Sequence, residues 1–497
     1  MKQRERYRIL QSESINLYKT GGQIGMQTGA DIGLIGLAVM GQNLVLNMSD
    51  HAYSIVVYNR TLSRIDEFLV GPAQGRDNIS GAHSIEELVQ KLKRPRKILL
   101  MVKAGPAVDH FIEALIPFLE PGDLIIDGGN SHYSDSIRRA KFLDERGILF
   151  IGTGISGGEE GARNGPSIMP GGSPEAWPLV EKLFKDIAAR TPDGSPCCEW
   201  IGENGAGHYV KMIHNGIEYG DMQLIAETYH LMRNGVGLEN QRISGIFSDW
   251  NKTELDSYLI EITADILARK DSDGEPLVEK ILDSAEMKGT GIWTSDSSLM
   301  LGVPLTLITE AVYARSLSGL KDERVEAMRI LGDSVKKWDG NTENFIEEIR
   351  KALLASKIVS YAQGFMLMRA ASEKYQWELD FGNIALIWRG GCIIRSAFLG
   401  QIKEAFDRNN ALRSLLIDKY FKEVIDGCLE SWRNVVAAAF KMGIPIPALS
   451  SALSFYDGYR CSRLPANLIQ AQRDYFGAHT YERIDRPRGE YFHTEWV

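Results

Sequence analysis

Between Asp31 and Ile151, short apolar runs alternate with stretches of helical spacing. This alternation limits the possible folds more than any other feature of the chain. The runs Asp31–Gly36, Ser54–Tyr58, Lys97–Val102, Asp123–Ile126 and Gly147–Ile151 read as strands. Leu37–Asn47, Ser63–Val70, Ile85–Lys91, Val108–Leu119 and Ser134–Arg146 read as the helices between them. Strands and helices in alternation imply a parallel, doubly wound sheet of Rossmann type. The period changes at Gly205: from there to about Lys441 it is mostly helical, with long amphipathic stretches at Val210–Arg233 and Leu353–Ala371.

The expected class is therefore an α/β domain over 31–204, a large all-α domain over 205–463 and a tail over 464–497. The tail is rich in Arg, Tyr, Phe, His and Pro and shows no obvious amphipathic element, so it should dock on another surface. Residues 1–30 read as an N-terminal extension expected to be disordered. Glu5 and Glu13 and the lack of an apolar core argue against a secretory signal; a transit peptide or a start at Met26 are the alternatives.

With 497 residues the chain exceeds one ordinary domain, and 44% hydrophobic and 24% charged residues describe a soluble globular protein. A net charge of −9 gives no general basic field for nucleic acid, and no run is apolar enough to span a membrane. The 5 cysteines include no C-x-x-C pair and no metal-ligand spacing, which points to reduced thiols in the cytoplasm.

Gly36-Leu37-Ala38-Val39-Met40-Gly41 follows the first strand and opens a helix. Its terminal glycines permit a tight turn, and the helix N-terminus offers free N–H groups to a pyrophosphate. Sites for NAD usually end the second strand with Asp or Glu; here the residues are Asn59-Arg60-Thr61. Arg60 can fork onto a 2′-phosphate and Thr61 can donate a hydroxyl, so the expected cofactor is NADP. The bland alternative is that Arg60 is only a solvated cation.

The densest polar cluster is Gly207–Tyr219, in which Lys211, His214, Asn215 and Glu218 share one helix face. Lys211 and Glu218 stand two turns apart, roughly 10 Å, too far for a simple ion pair but able to straddle a small substrate. A solvated charged stripe is the commoner meaning of such residues. The loops Asp127-Gly-Gly-Asn130-Ser131 and Ser156-Gly157-Gly158-Glu-Glu-Gly161 follow strand ends, where ligands of open α/β sheets collect.

At these residues the chain resembles 6-phosphogluconate dehydrogenase. The resemblance continues through Val102-Lys-Ala-Gly105, Lys288-Gly-Thr290-Gly, Trp388–Arg395 and Arg473–His479, from about Asp31 to the C-terminus. It implies NADP-dependent oxidative decarboxylation of 6-phospho-D-gluconate to D-ribulose 5-phosphate in the pentose phosphate pathway. It implies Lys211 as general base and acid and Glu218 as the second acid. The implied substrate shell is Asn130, Ser156, Gly157, Gly158, His214, Asn215, Tyr219, Lys288, Thr290 and Arg315. Arg473 and His479 are implied to enter the partner subunit's site in a homodimer. Val102, Lys103 and Ala104, with Asn130, are implied to contact the cofactor, and no metal is implied. Where the family carries a lysine after Gly-Thr-Gly, this chain has Ile292. The rival readings are a β-hydroxyacid dehydrogenase that does not decarboxylate, which has no need of Glu218, and an inactive NADP-binding protein.

Overall fold

The computed structural model describes residues 29–332 and 335–496. Most of the expected N-terminal extension, residues 1–28, lies outside the described residues. Its last two residues belong to the fold: Ala30 bridges Leu92, and its N–H donates to the Lys91 carbonyl at 2.8 Å.

The first half is an eight-stranded sheet in the order β3-β2-β1-β4-β5-β6-β7-β8. The strands are β1 Ile32–Ile35, β2 Ile55–Tyr58, β3 Ile79–Gly81, β4 Lys97–Leu100, β5 Leu124–Asp127, β6 Leu149–Ser156, β7 Ser167–Gly172 and β8 Gly202–Glu203. Period-two alternation sends successive side chains to opposite faces, and both faces are buried. Leu99, Leu124 and Ile126 join one apolar cluster; Ile98, Leu100 and Ile125 join the other. The order reverses between β1 and β4, placing the β1 turn and the β4–β5 ends beside one crevice.

The expectation of a parallel sheet needs one correction. β6 and β7 are antiparallel, from Ile151 opposite Gly172 to Ser156 opposite Ser167. β6 also runs on to Ser156, well past the expected end at Ile151. The glycines in β6 and β7 dilute the apolar signal that marks the other strands.

The helical half is built around Ala206–His230, which continues as a π-helical turn to Val236, and around the 34-residue helix Thr342–Tyr375. These two helices pack on each other and share the largest apolar core, with Trp388, Trp432 and Phe421 among its buried residues. A further helix, Pro447–Tyr459, extends the helical region beyond Lys441.

The tail corrects a second expectation. Residues Ala466–Gly477 form a helix, and Tyr481–Glu482 pairs antiparallel with Tyr491–Phe492. Asp474 ties them together: its carboxylate accepts from Thr480 N at 3.0 Å, His493 Nδ1 at 2.9 Å, Thr494 N at 3.1 Å and Trp496 Nε1 at 2.9 Å. One buried carboxylate holds the segment after the helix against it, an order that periodicity does not reveal. Leu468, Ile469 and Phe476 remain 61%, 58% and 72% exposed, leaving the tail helix with an uncovered apolar face.

Candidate active site

Glycines in β6 bring the polar helix face onto the sheet. A Cβ at Gly154 would lie 2.3 Å from Lys211 Cβ, and one at Gly152 would lie 2.7 Å from His208 Nδ1. Any side chain here would push the helix away, so Gly152 and Gly154 form a groove that seats its first turns. Lys211 thereby comes beside Ser156 at the end of the same strand. Both glycines fall on one strand face, a signal visible in Leu149–Ser156 that the apolar pattern alone does not catch.

The expected helix-face residues form one connected network. Lys211 Nζ is 3.4 Å from His214 Nδ1, which is 3.1 Å from Asn215 Oδ1 and 3.8 Å from Glu218 Oε2. On its other edge, His214 Nε2 is 3.2 Å from Ser156 Oγ. Asn215 Nδ2 donates to Thr290 Oγ1 at 3.2 Å. This is not a solvated stripe, because Lys211, His214 and Asn215 are all buried.

Burial also sets the protonation states. It pushes the Lys211 amine below its ordinary value, against the opposing charge of Glu218. It raises the Glu218 carboxyl, although Lys211, Arg315 and Lys288 pull it down. His214 falls well below its ordinary value through burial and then through Lys211, so it stands as neutral imidazole.

Lys211, Asn215 and Glu218 border a cavity of about 420 Å³, while the expected His214 lies behind them and is not in its lining. Its lining includes the expected Met40, Asn130, Ser156, Gly157, Gly158, Lys211, Asn215, Glu218, Tyr219, Lys288, Thr290 and Arg315. The Arg315 guanidinium lies 3.6 Å over the Tyr219 ring and donates to the Glu286 carbonyl at 3.2 Å. Such stacking holds its charge at the cavity rim. Ile292 is 47% exposed and is not among the lining residues. Arg473 and His479 do not reach this cavity in their own chain; Arg473 is exposed and donates to Gln470 Oε1 at 3.0 Å.

Sequence reading missed Ile155, Met222, Glu286 and Ile393 in the lining. It also missed Arg139, which is 1% exposed and pairs with Asp127 at 3.1 Å. Asp127 accepts from Ser131 Oγ at 2.6 Å and Gly129 N at 3.1 Å, so this buried pair shapes the loop that presents Asn130.

The dinucleotide edge has a different character. A Cβ at Gly41 would stand 1.9 Å from the Gly36 carbonyl, so only glycine allows that turn to close. Asn59 Oδ1 accepts from Leu37 N at 3.1 Å, and Asn59 Nδ2 donates to the Thr61 carbonyl at 2.9 Å. Leu37, Ala38 and Val39 line a second cavity of about 410 Å³ together with Arg64, a cation that sequence reading missed. Val102 packs beside Gly36, with Lys103 and Ala104 following it. Arg60 and Lys103 are exposed, and neither side chain has a hydrogen bond or ion pair among the described residues. A closed turn, a helix start and free cations fit a phosphorylated dinucleotide. Among the described residues no group of three or more His, Cys, Asp or Glu side chains could hold a metal.

Comparison with known proteins accounts for nearly the whole chain. Residues 31–202 match the NAD binding domain of 6-phosphogluconate dehydrogenase, and residues 207–496 match the 6-phosphogluconate dehydrogenase C-terminal domain. The decarboxylating 6-phosphogluconate dehydrogenase of Haemophilus influenzae is 60% identical over 95% of this chain and 97% of its own. The human enzyme of the same name is 59% identical over 94% of this chain and 97% of its own. Among solved structures, 6-phosphogluconate dehydrogenase of Plasmodium falciparum, studied without ligand, with NADP+ and with 6-phosphogluconate, superposes with a TM-score of 0.90 at 45% identity. That match covers 94% of this chain and 100% of the other.

Proposed function

This chain belongs to the 6-phosphogluconate dehydrogenase family, and on that premise we propose a reaction and a division of labour for its site. It is an NADP-dependent oxidoreductase that oxidises and decarboxylates 6-phosphogluconate, yielding ribulose 5-phosphate and carbon dioxide. The observation that carries the assignment of roles is the Lys211–His214–Asn215–Glu218 network, three of its members buried and Glu218 half-buried at one cavity.

In this reading Gly36–Gly41, Asn59, Arg60, Thr61 and Val102–Ala104 hold NADP, which when bound accepts the hydride from C3 of the sugar acid. Neutral Lys211 takes the proton of the C3 hydroxyl, as its lowered affinity for protons allows. The resulting 3-keto acid loses carbon dioxide; the electrons of the broken C–C bond pass toward the ketone, and Lys211 returns the proton to that oxygen as an enediol forms. Glu218, whose hold on its proton burial strengthens, gives that proton to the carbon that lost the carboxylate, while Lys211 takes back the hydroxyl proton. Ser156, the backbone of Gly157 and Gly158, His214 and Asn130 hold the carboxyl end. Tyr219, Lys288, Thr290 and Arg315 hold the phosphate by charge-assisted bonds.

Residues 31–204 serve the cofactor, 205–463 catalysis and dimerisation, and 464–497 the partner subunit. Arg473 and His479 act in the neighbouring site of a homodimer; the uncovered apolar face of the tail helix supports that role. Compact order around Asp474 lets the tail present these residues as a preformed unit. The compartment is the cytoplasm, supported by the free state of all the cysteines among the described residues. No helix among the described residues is long and apolar enough to cross a membrane.

Reduced nicotinamide absorbance together with carbon dioxide release from 6-phosphogluconate tests the whole reading. NADPH without carbon dioxide would sink the decarboxylation step, and neither product would sink the activity.

A further inference from the structure

One turn beyond Glu218, on the same helix, Asp221 forms an ion pair that the reaction does not use. Its Oδ2 accepts from Lys357 Nζ at 2.6 Å, and the two side chains are 1% and 0% exposed. Lys357 belongs to the helix Thr342–Tyr375, which crosses Ala206–His230 at close range. A Cβ on Gly220 would stand 2.6 Å from Ser360 Oγ, and one on Gly364 would stand 2.6 Å from Ile217 Cδ1. One helical turn after Lys357, the Tyr361 hydroxyl donates to the Ile394 carbonyl at 2.7 Å. Its neighbour Ile393 lines the same cavity as Glu218. The long helix thus grips the acid-bearing helix through Lys357 and the facing loop through Tyr361.

A fully buried ion pair adds little net stability, because desolvating two charges offsets their attraction. Stability alone therefore does not account for this one. We propose that Asp221, Lys357 and Tyr361 form a positioning relay that seats Glu218 at the cavity it shares with Ile393 and keeps the charge beneath it neutral. The inference rests on Glu218 being the acid, as read above. Neither Asp221 nor Lys357 lines the cavity, so both act through Glu218. The charged and titratable groups around Glu218 are Lys211, His214 and Asp221 on its own helix, Lys288 just before the helix Thr290–Met300, and Arg315 on the helix Thr306–Gly319, with Tyr219 and Glu286 also lining the cavity. Asp221 itself faces Lys357 and Tyr361. Among these, Asp221 pushes the Glu218 carboxyl up, and Lys357 in turn draws the Asp221 carboxyl down.

The test is the pH profile of kcat/KM in the full-length enzyme. Glu218→Gln first identifies the limb that belongs to Glu218, since that limb disappears. Asp221→Asn, nearly isosteric, should move the same limb down by about one pH unit, the size expected for one charge a helical turn away at intermediate polarity. The double variant Asp221→Asn/Lys357→Met, neutral like the native pair, should bring the limb most of the way back. Lys357→Met alone leaves a lone buried carboxylate; if it does not fold, the other two variants still decide. A limb unmoved in folded Asp221→Asn, with only the melting temperature lowered, overturns the relay. A limb that persists in Glu218→Gln overturns instead the reading of Glu218 as the acid. Infrared titration of the Glu218 carboxyl, taken as the difference from Glu218→Gln, then reads the same shift without turnover: movement in Asp221→Asn supports the relay and none refutes it.

Discussion

The cavity under the helix Ala206–His230 and the dinucleotide edge hold their polar groups in opposite ways. In the cavity, Lys211, His214 and Asn215 are buried and joined by contacts of 3.1–3.4 Å. At the edge, Arg60 and Lys103 are exposed and their side chains have no partner among the described residues. The difference follows from the two tasks. Moving a proton between a lysine and a carboxyl requires both to titrate far from their values in water, which needs desolvation. Recognising a phosphate requires cations that nothing has yet neutralised.

Replacing the proposed base breaks this contrast most sharply. Lys211→Met should lower kcat/KM by on the order of 10³–10⁴ while the protein stays folded. Nicotinamide absorbance together with a thermal melt checks this, and a loss below tenfold would mean that another group takes the proton.

Glu218→Gln should lower turnover by roughly 10², with the first hydride transfer spared. A rapid burst of NADPH should therefore precede slow turnover; a first turnover as slow as the steady state would remove the division of labour between Lys211 and Glu218. The same variant sharpens the electrostatic side of the comparison. The proposed reaction needs Lys211 neutral and Glu218 protonated, states that hardly overlap in water, where lysine titrates at about 10.4 and glutamate at about 4.3. Burial lowers the first and raises the second, and so brings the two titrations toward each other. With Glu218 replaced, one limb of the pH profile should vanish, and activity should rise with pH through the Lys211 titration alone. Two surviving limbs would contradict the pairing.

At the exposed edge effects should be milder, since water competes for every contact. Arg60→Ala should raise KM for NADP by about tenfold, ~1.4 kcal/mol, and leave KM for NAD nearly unchanged. Equal losses for the two coenzymes would show that Arg60 does not read the 2′-phosphate, and would shift attention to Arg64.

Partial recovery of activity tests the tail. Arg473→Ala and Lys211→Met proteins, each inactive, should regain about a quarter of wild-type activity after random subunit exchange. Roughly half of the dimers would be mixed, and one site in each would be intact. No recovery despite demonstrated exchange would mean that the tail serves its own subunit or that the two sites are coupled.

Much of this could be read along the chain because the signals are local. The β1 run followed by Gly36–Gly41, the Asn59-Arg60-Thr61 end of β2, and the spacing of Lys211, His214, Asn215 and Glu218 each lie within one element or one turn. The antiparallel β7 escaped because Ser167–Gly172 carries two glycines and a proline, which suppress the strand pattern. The order of the tail escaped because Asp474 holds the segment after the helix, a contact that periodicity does not reveal.

Sequence by itself determined the α/β-then-α architecture, the dinucleotide turn, the cation at the end of β2 and which polar residues share one helix face. Each follows from periodicity or from a contact only a few residues long. Tertiary structure decided the rest. It set Lys211 in the groove of Gly152 and Gly154, paired Arg139 with Asp127 behind the Asn130 loop, and paired Lys357 with Asp221 across 136 residues of chain. It also kept Arg473 and His479 away from their own chain's cavity. Periodicity reports which way a side chain points, but only packing sets how closely two elements approach. That separation decides whether a lysine is solvated and charged or buried and able to act as a base.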